Sequence, residues 1–306
     1  MKVLLTGGSG DMGVLLAKQL KDQGDEVVIL DLAEPHDSLA NDVSFVKGSI
    51  LDRDTVHSAM SGVDCVVHIA AWHGIHEHDG TKDAYDFHDV NVTGTFNVLQ
   101  ASADAEIKKF VFISSTSVDD TYGLYGHTKV LNEEMARTYA LRHEMDIITL
   151  RPRAFIPPWN KAVYESFLDW ANWFKKGAVH ISDVCQATLK SINFLKASSP
   201  PEPAVILQID GAYEYTQDDL EKWDDDTFRK IYGENAQRLC DKHNLDLTRK
   251  PKIIGSTKAE NVIGYKATYS LKSVLKDLET YGDKGPAHPL HTKTHQSAMH
   301  CKTLKR

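Results

Sequence analysis

The sequence predicts an α/β protein, a doubly wound parallel sheet with a smaller, mainly helical second domain. Three observations carry this reading. Short apolar runs alternate with amphipathic stretches, a glycine-rich turn joins the first run to the first helix, and an acidic residue closes the second run. At 306 residues, 42% apolar and 25% charged, the chain has ample core for one large domain and a companion.

Lys2 to Thr6 reads as a buried strand, and Val14 to Leu20 carries apolar residues at helical spacing. Between them lies Gly7-Gly8-Ser9-Gly10-Asp11-Met12-Gly13. In that setting Gly7 allows a tight turn, Gly10 lets backbone approach a pyrophosphate, and Gly13 lets the helix pack closely on the sheet. The helix N-terminus then faces the phosphate charge. The next run, Val27-Val28-Ile29-Leu30, ends at Asp31. A carboxylate there accepts hydrogen bonds from ribose hydroxyls and repels a 2′-phosphate, and no Arg or Lys follows until Lys47. The expected cofactor is therefore NAD rather than NADP.

Val43 to Lys47, Asp64 to Ala70, Lys108 to Ser114 and Asp146 to Leu150 continue the series of strands, with helical stretches near Asp52 to Met60, Asp83 to Ala103 and Tyr125 to Arg142. After Arg151-Pro152 the rhythm breaks at Pro157-Pro158 and an aromatic cluster from Trp159 to Phe174, which reads as a core or lid helix or else a stacking platform. It resumes with a strand-like Ala178 to Ile181, a helix from Ser182 and a strand from Ala204 to Ile209. From Gly211 to Tyr281 the chain is mainly helical and highly charged. The expected domains are 1–152 with 178–210 for the cofactor, 153–177 with 211–285 on the substrate side, and a peripheral tail at 286–306.

A net charge of -8 gives no reason to expect nucleic acid or an anionic membrane, and no segment approaches 18 consecutive apolar residues. Cys65, Cys185, Cys240 and Cys301 show no metal or disulfide spacing, and the expected compartment is a reducing cytoplasm. His73, His76 and His78 lack supporting ligands, so the expectation is a pocket rim and no metal. The tail's His288, His291, His295 and His300, with Cys301, leave metal binding equally unsupported, and a peripheral or mobile segment is expected there.

Tyr125 is followed four residues later by Lys129, the only such tyrosine in the chain. Hydride transfer from an alcohol carbon needs a group to take the hydroxyl proton, and a free phenol, with a pKa of about 10, is too weak a base at neutral pH. An ammonium one turn away favours the phenolate and can also reach the nicotinamide ribose. Thr116 is placed to hydrogen-bond the same oxygen. Strand alternation would then turn Ser115 and Ser117 away, and a shift of one residue swaps the assignment.

This ordered set resembles the extended short-chain dehydrogenase/reductases, the NAD-dependent epimerases and dehydratases that mostly act on sugars, over residues 1 to about 281. The resemblance implies a Rossmann-like fold with Gly7, Gly10, Asp11, Met12 and Gly13 in the cofactor loop and Asp31 on the ribose. Ser49 and Ile50, within Gly48 to Asp52, resemble the adenine-side segment. Ala70 and Ala71, in His68-Ile69-Ala70-Ala71, resemble the fourth-strand motif. Asn91 matches an asparagine that is either structural or holds groups near the site. Thr116, Tyr125 and Lys129 resemble the catalytic set, and Pro152 the nicotinamide-side turn. Val179 to Val184 and Lys258 to Tyr265 match two later landmarks.

Two links are short for such a family, Ser117 to Leu124 and Arg153 to Ala178, which resembles its uronate-dehydrogenase side. A monosaccharide-sized substrate is expected, with His73, Ser117 and Arg153 near it. An exposed, uninvolved Arg153 stays an alternative, as does a diphosphate grip from Arg229 and Arg238. The function expected is NAD-dependent oxidation or reduction of a sugar or polyol. A nucleotide-sugar epimerase and a non-catalytic NAD-binding regulator remain the alternatives. A small carbohydrate is the expected partner, with a homodimer left open.

Overall fold

The computed structural model describes residues 1–39, 41–120, 122–245 and 250–287. Seven strands form one sheet, β1 (Lys2–Thr6), β2 (Glu26–Asp31), β3 (Ser44–Lys47), β4 (Cys65–His68), β5 (Lys109–Ile113), β6 (Asp146–Pro152) and β7 (Val205–Ile209). Their order is β3-β2-β1-β4-β5-β6-β7, and β1 through β6 pair in parallel. This is the predicted doubly wound sheet. Winding reverses between β1 and β4, whose register pairs Thr6 with His68, so the crevice of the fold opens where those two strands end.

Parallel strands covered on both faces must be apolar throughout. Val3, Leu4, Leu5, Val66, Val67, Phe110 and Val111 accordingly have no exposed surface, and each such side chain contributes about 2 kcal/mol of burial. The crossovers are α1 (Asp11–Asp22), α2 (Arg53–Ala59), α3 (Gly74–His78), α4 (Ala84–Phe87), α5 (Gly94–Asp104), α6 (Leu124–His143), α7 (Phe167–Phe174) and α8 (Ile181–Ala197). A π-helical stretch, His88–Thr93, joins α4 to α5, and a 3-10 turn, Thr116–Asp119, follows β5. The strand-like Ala178 to Ile181 is not a strand. Ile181 begins α8, with His180 Nδ1 accepting from Ser182 N at 3.3 Å as a cap does.

Contacts divide the chain into two units. The first is Met1–Pro152, Cys185–Gln208 and Lys258–Tyr265, the last of which the sequence pattern had assigned to the other domain. The second comprises Arg153–Val184, Ile209–Thr257 and the described residues from Lys266 on. Its helices include α9 (Gln217–Glu221), α10 (Asp225–Tyr232), α11 (Glu234–Lys242), α12 (Thr257–Ile263, starting here and continuing in the first unit) and α13 (Leu271–Tyr281). Tyr164, Phe167, Trp170 and Phe174 form its core with Phe228, Val274 and Leu278, and Trp170 Nε1 donates to the Ile156 carbonyl at 2.9 Å. These four aromatics are core rather than a stacking platform. Asp183, nearly inaccessible, accepts from the Thr268 and Tyr269 amides and the Thr268 hydroxyl. Among the described residues no helix is long and apolar enough to cross a membrane. The tail histidines and Cys301 lie outside the described residues.

Candidate functional site

The glycine turn is built as its spacing requires. Gly7 has φ +69°, and a Cβ there would stand 2.8 Å from the Ala70 backbone, so both conformation and space demand glycine. Its amide donates to the Leu30 carbonyl at 2.9 Å, tying the turn to the end of β2. A Cβ on Gly13 would lie 2.5 Å from Gly8, because α1 packs directly on the turn. At Gly10 a Cβ would meet only the Gly7 carbonyl at 3.5 Å, which leaves that side of the loop open. Gly10 is also the N-cap of α1 and supplies no side-chain cap. Backbone amides and the positive helix end thus face an open cradle, and this geometry suits a pyrophosphate. Asp11 is half-buried at the helix start, and Met12 is buried behind it.

Asp31 ends β2, where its two carboxylate oxygens accept from the Ser9 and Ala33 amides, each at 3.0 Å. It therefore shapes the loop from within as well as bringing negative charge to it. Ser49 Oγ accepts from the Leu51 amide at 3.1 Å, and Asn97 Nδ2 donates to the Ile50 carbonyl at 3.0 Å, fixing the segment after β3. Ala70 lies against Gly7, Ala71 follows it half-buried, and Pro152 is buried at the end of β6.

A buried polar chain runs beneath this crevice. Thr6 Oγ1 and His68 Nδ1 are 2.7 Å apart, and His68 Nε2 and Thr95 Oγ1 are 2.9 Å apart. Because the Thr95 hydroxyl donates to the Asn91 carbonyl, it accepts from His68 Nε2–H, leaving Nδ1 to accept from Thr6. Burial pushes the His68 pKa down to about 3, with Lys129 adding repulsion. Asn91, in the π-helical stretch, continues the chain. Its Oδ1 accepts from the Trp72 amide at 2.7 Å, and its Nδ2 donates to the Trp72 carbonyl at 2.8 Å and to Thr128 Oγ1 at 3.0 Å. Thr128 in turn donates to the Tyr125 carbonyl at 2.8 Å.

Tyr125 and Lys129 lie one turn apart on α6, with the ammonium 5.7 Å from the phenol ring centre. Lys129 is 3% exposed, and its Nζ donates to the Ile113 carbonyl at 2.8 Å. Burial raises the Tyr125 phenol to about 12 and lowers the Lys129 ammonium to about 7, while Glu133 partly restores the latter. Desolvation thus outweighs the expected help from Lys129, and the phenol is neutral at rest.

Burial dominates the shift of the Tyr125 phenol, and the nearby Ser115 hydroxyl works against it. β5 stops at Ile113, Ser115 is the extended N-cap of the 3-10 turn, and Thr116 is its first residue. Strand alternation therefore does not reach these positions. Ser115 Oγ donates to Ser117 Oγ at 3.1 Å and accepts from the Ser117 amide at 3.0 Å, so the two serine side chains lie together.

His73 caps α3, with His76 Nδ1 within 3.3 Å of the His73 amide. Burial drives His73 down to about 4 and His76 below the ordinary value. His78 is exposed beside Asp79. Among the described residues no group of three metal-ligating side chains converges. Arg153 belongs to the second unit, where its Nη1 donates to Asp210 Oδ1 at 3.3 Å, to Tyr213 Oη at 2.9 Å and to the Lys252 carbonyl. At 11% exposure its partner is the buried Asp210 of its own unit.

Sequence reasoning missed Glu133 and Glu77, and held Ser115 only as the alternative that a shift of one residue allows. Glu133, one turn beyond Lys129, accepts from Arg151 Nε at 2.8 Å and Nη2 at 2.5 Å, and from Ser114 Oγ at 2.5 Å. Its i+4 spacing from Lys129 was the available signal. Ser115 stood next to the residue selected. Glu77, which accepts from the first amides of α6, has no signal in spacing because its partners lie 47 and 48 residues away.

The family model of the NAD dependent epimerase/dehydratase family matches residues 3–206. An uncharacterised Sinorhizobium fredii protein is 34% identical over 181 residues, covering 55% of this chain and 44% of that protein. A UDP-glucose 4-epimerase of Halalkalibacterium halodurans is 30% identical over 172 residues, covering 49% of this chain and 50% of its own. The chain thus spans about half the length of the curated relatives it matches. The structure of UDP-glucose-4-epimerase from Stenotrophomonas maltophila, with bound NAD and formylated UDP-arabinopyranose, aligns at TM-score 0.68 and 20% identity, covering 92% of this chain and 98% of that one. At that identity the likeness is one of fold.

Proposed function

The chain belongs to the NAD dependent epimerase/dehydratase family, and from that premise we propose an NAD-dependent oxidoreductase that moves hydride between a hydroxyl-bearing carbon of a sugar or polyol and nicotinamide. The observation that carries the reading is the half-buried Tyr125 with the Lys129 ammonium 5.7 Å from its ring centre, one turn away on the same helix. Mere dinucleotide binding requires no such phenol. NAD would accept or return the hydride. Gly7, Gly10, Gly13 and the open N-terminus of α1 fit its pyrophosphate, and Asp31 fits its ribose in preference to a phosphorylated one.

Within the protein, Tyr125 is proposed to take the substrate hydroxyl proton, and Ser115, its hydroxyl turned from Ser117 to that oxygen, to hold it while charge develops. Lys129, poised at about 7, supplies positive charge where the site becomes anionic, and Glu133 supports its protonated form. Ser114 and Arg151 hold Glu133 in turn. Thr116 opens the turn that carries these hydroxyls, and Asn91 fixes Trp72 and Thr128 around them. The proposed setting is a reducing cytoplasm, which suits the buried thiols of Cys65 and Cys240.

The proposed substrate is monosaccharide-sized, in line with the short links before Tyr125 and after Arg153. A second reading, a nucleotide-sugar 4-epimerase, draws on the curated relatives of that name. Against its grip, Arg229 already pairs with Asp226 and Glu234, and Arg238 with Asn235. A panel of free sugars, uronates and UDP-sugars, with NAD or NADP, tests both readings. A free sugar or uronate yielding stoichiometric NADH is the expected result. UDP-sugar interconversion without net NADH, or equal use of NADP, would replace it with the second reading or remove the Asp31 argument.

A further inference from the structure

The helix that carries Tyr125 does not close its own beginning. α6 starts after Gly123, which gives no side-chain cap, and its first two amides find a partner from elsewhere in the first unit. Glu77 Oε1 accepts from the Leu124 amide at 2.6 Å and Oε2 from the Tyr125 amide at 2.9 Å. A two-oxygen carboxylate at the positive end of a twenty-residue helix is a charge-assisted cap. One of its two bonds goes to the backbone of the very residue assigned the proton.

Other contacts bring the same segment to the same place. A Cβ on Gly74, at the start of α3, would stand 3.5 Å from Tyr125 Cδ1, so the α3 backbone lies near the tyrosine ring. A Cβ on Gly123 would stand 3.7 Å from Glu77 Oε2, so that carboxylate lies against the start of α6, while the tighter 2.9 Å approach there is Asp120 Oδ2. The Trp72 end of the segment is bound by both faces of the Asn91 amide, which also bonds Thr128 on α6. The 72–77 segment is thereby joined to α6 at its two ends, through Asn91 and through Glu77.

We propose that Glu77 is a positioning residue for Tyr125, so that the seating of the α3 segment sets the attitude of the phenol. This rests on the reading of Tyr125 as the proton acceptor.

The test compares Glu77→Gln, which keeps volume and one acceptor oxygen, with Glu77→Ala and with Tyr125→Phe. Hydrogen exchange on the full chain reads the cap directly. Amides 124 and 125 should exchange about tenfold faster in Glu77→Ala, the scale of a lost helix cap, while β5 and the later turns of α6 keep their protection. NAD affinity by calorimetry should stay within about twofold, since no cofactor contact is removed. With a sugar turned over by the wild type, kcat should fall about tenfold or more in Glu77→Ala and less in Glu77→Gln, at nearly constant KM. Unchanged exchange at 124 and 125, or faster exchange with unchanged kcat, overturns the proposal. Full activity in Tyr125→Phe would instead remove the base assignment, with the exchange result still reporting on Glu77. Should Glu77→Ala fail to fold, Glu77→Gln decides by the same split.

Discussion

The sharpest question at the scale of single residues is which hydroxyl serves the phenol. The sequence pointed to Thr116 because a strand alternates its side chains, and that inference needs a strand to alternate along. β5 ends three residues earlier and Ser115 caps the turn that Thr116 opens, so the alternation argument lapses and the serine is the proposed partner of the phenol. Ser115→Ala is expected to lower kcat about 100-fold, the scale of one lost donor to a developing oxyanion, whereas Thr116→Ala should stay within a few-fold. Steady-state kinetics of the two variants checks this, and the opposite ranking returns the role to Thr116. The glycines and Asp31, by contrast, were legible because their roles follow from backbone conformation and chain order. Gly7 needs φ +69° beside Ala70, and no other residue type supplies that without strain.

At the scale of elements, what the sequence showed and what it hid divide by range. Strand and helix periods are local, so the alternating elements of the sheet could be read. The π-helical stretch at His88–Thr93 could not, because the Asn91 it carries bonds Trp72, between β4 and α3, and Thr128 on α6, both distant in sequence. The strand-like Ala178 to Ile181 failed for the reverse reason. Its apolar run is short enough to be the lead into a buried helix as well as a strand, and the cap at His180 decided for the helix. Asn91→Ala should leave the Trp72 amide, the Trp72 carbonyl and the Thr128 hydroxyl short of a partner. We expect a loss of about 3 kcal/mol in urea denaturation, against the ~1 kcal/mol typical of an arbitrary substitution. A loss below ~1 kcal/mol would mean that the three groups find other partners.

For the whole molecule His68 and His73 contribute to how stability responds to acid, beside carboxylates such as Asp52 and Asp104 that are held below their ordinary values. His68 and His73 are held at about 3 and about 4, both below the ordinary 6.5, because burial penalises their charged forms. At pH above 6.5 folded and unfolded chains alike carry them neutral, and they contribute no pH dependence. Below 6.5 the unfolded chain binds protons that the folded chain refuses, so stability falls with pH until the folded values are reached. Each fully withheld proton is worth about 1.4 kcal/mol per pH unit. His68 is the stronger case. Its ring is fixed by Thr6 from β1 and Thr95 from α5 and packed near Phe110 and Phe112 of β5, and Lys129 from α6 repels its cationic form. Protonating it would also place a donor against the Thr6 hydroxyl that now donates to Nδ1. Asp183, whose carboxyl is raised by burial, works in the opposite direction, since acid relieves its cost. The informative measurement is therefore the difference between wild type and His68→Gln in urea denaturation from pH 7.5 to 4.5. Below pH 6.5 the wild-type curve should fall more steeply than the variant's by about 1.4 kcal/mol per pH unit, while above 6.5 the two should run parallel. Parallel curves throughout would show that His68 takes up its proton in the folded chain, and the neutral Thr6–His68–Thr95 chain would have to be abandoned.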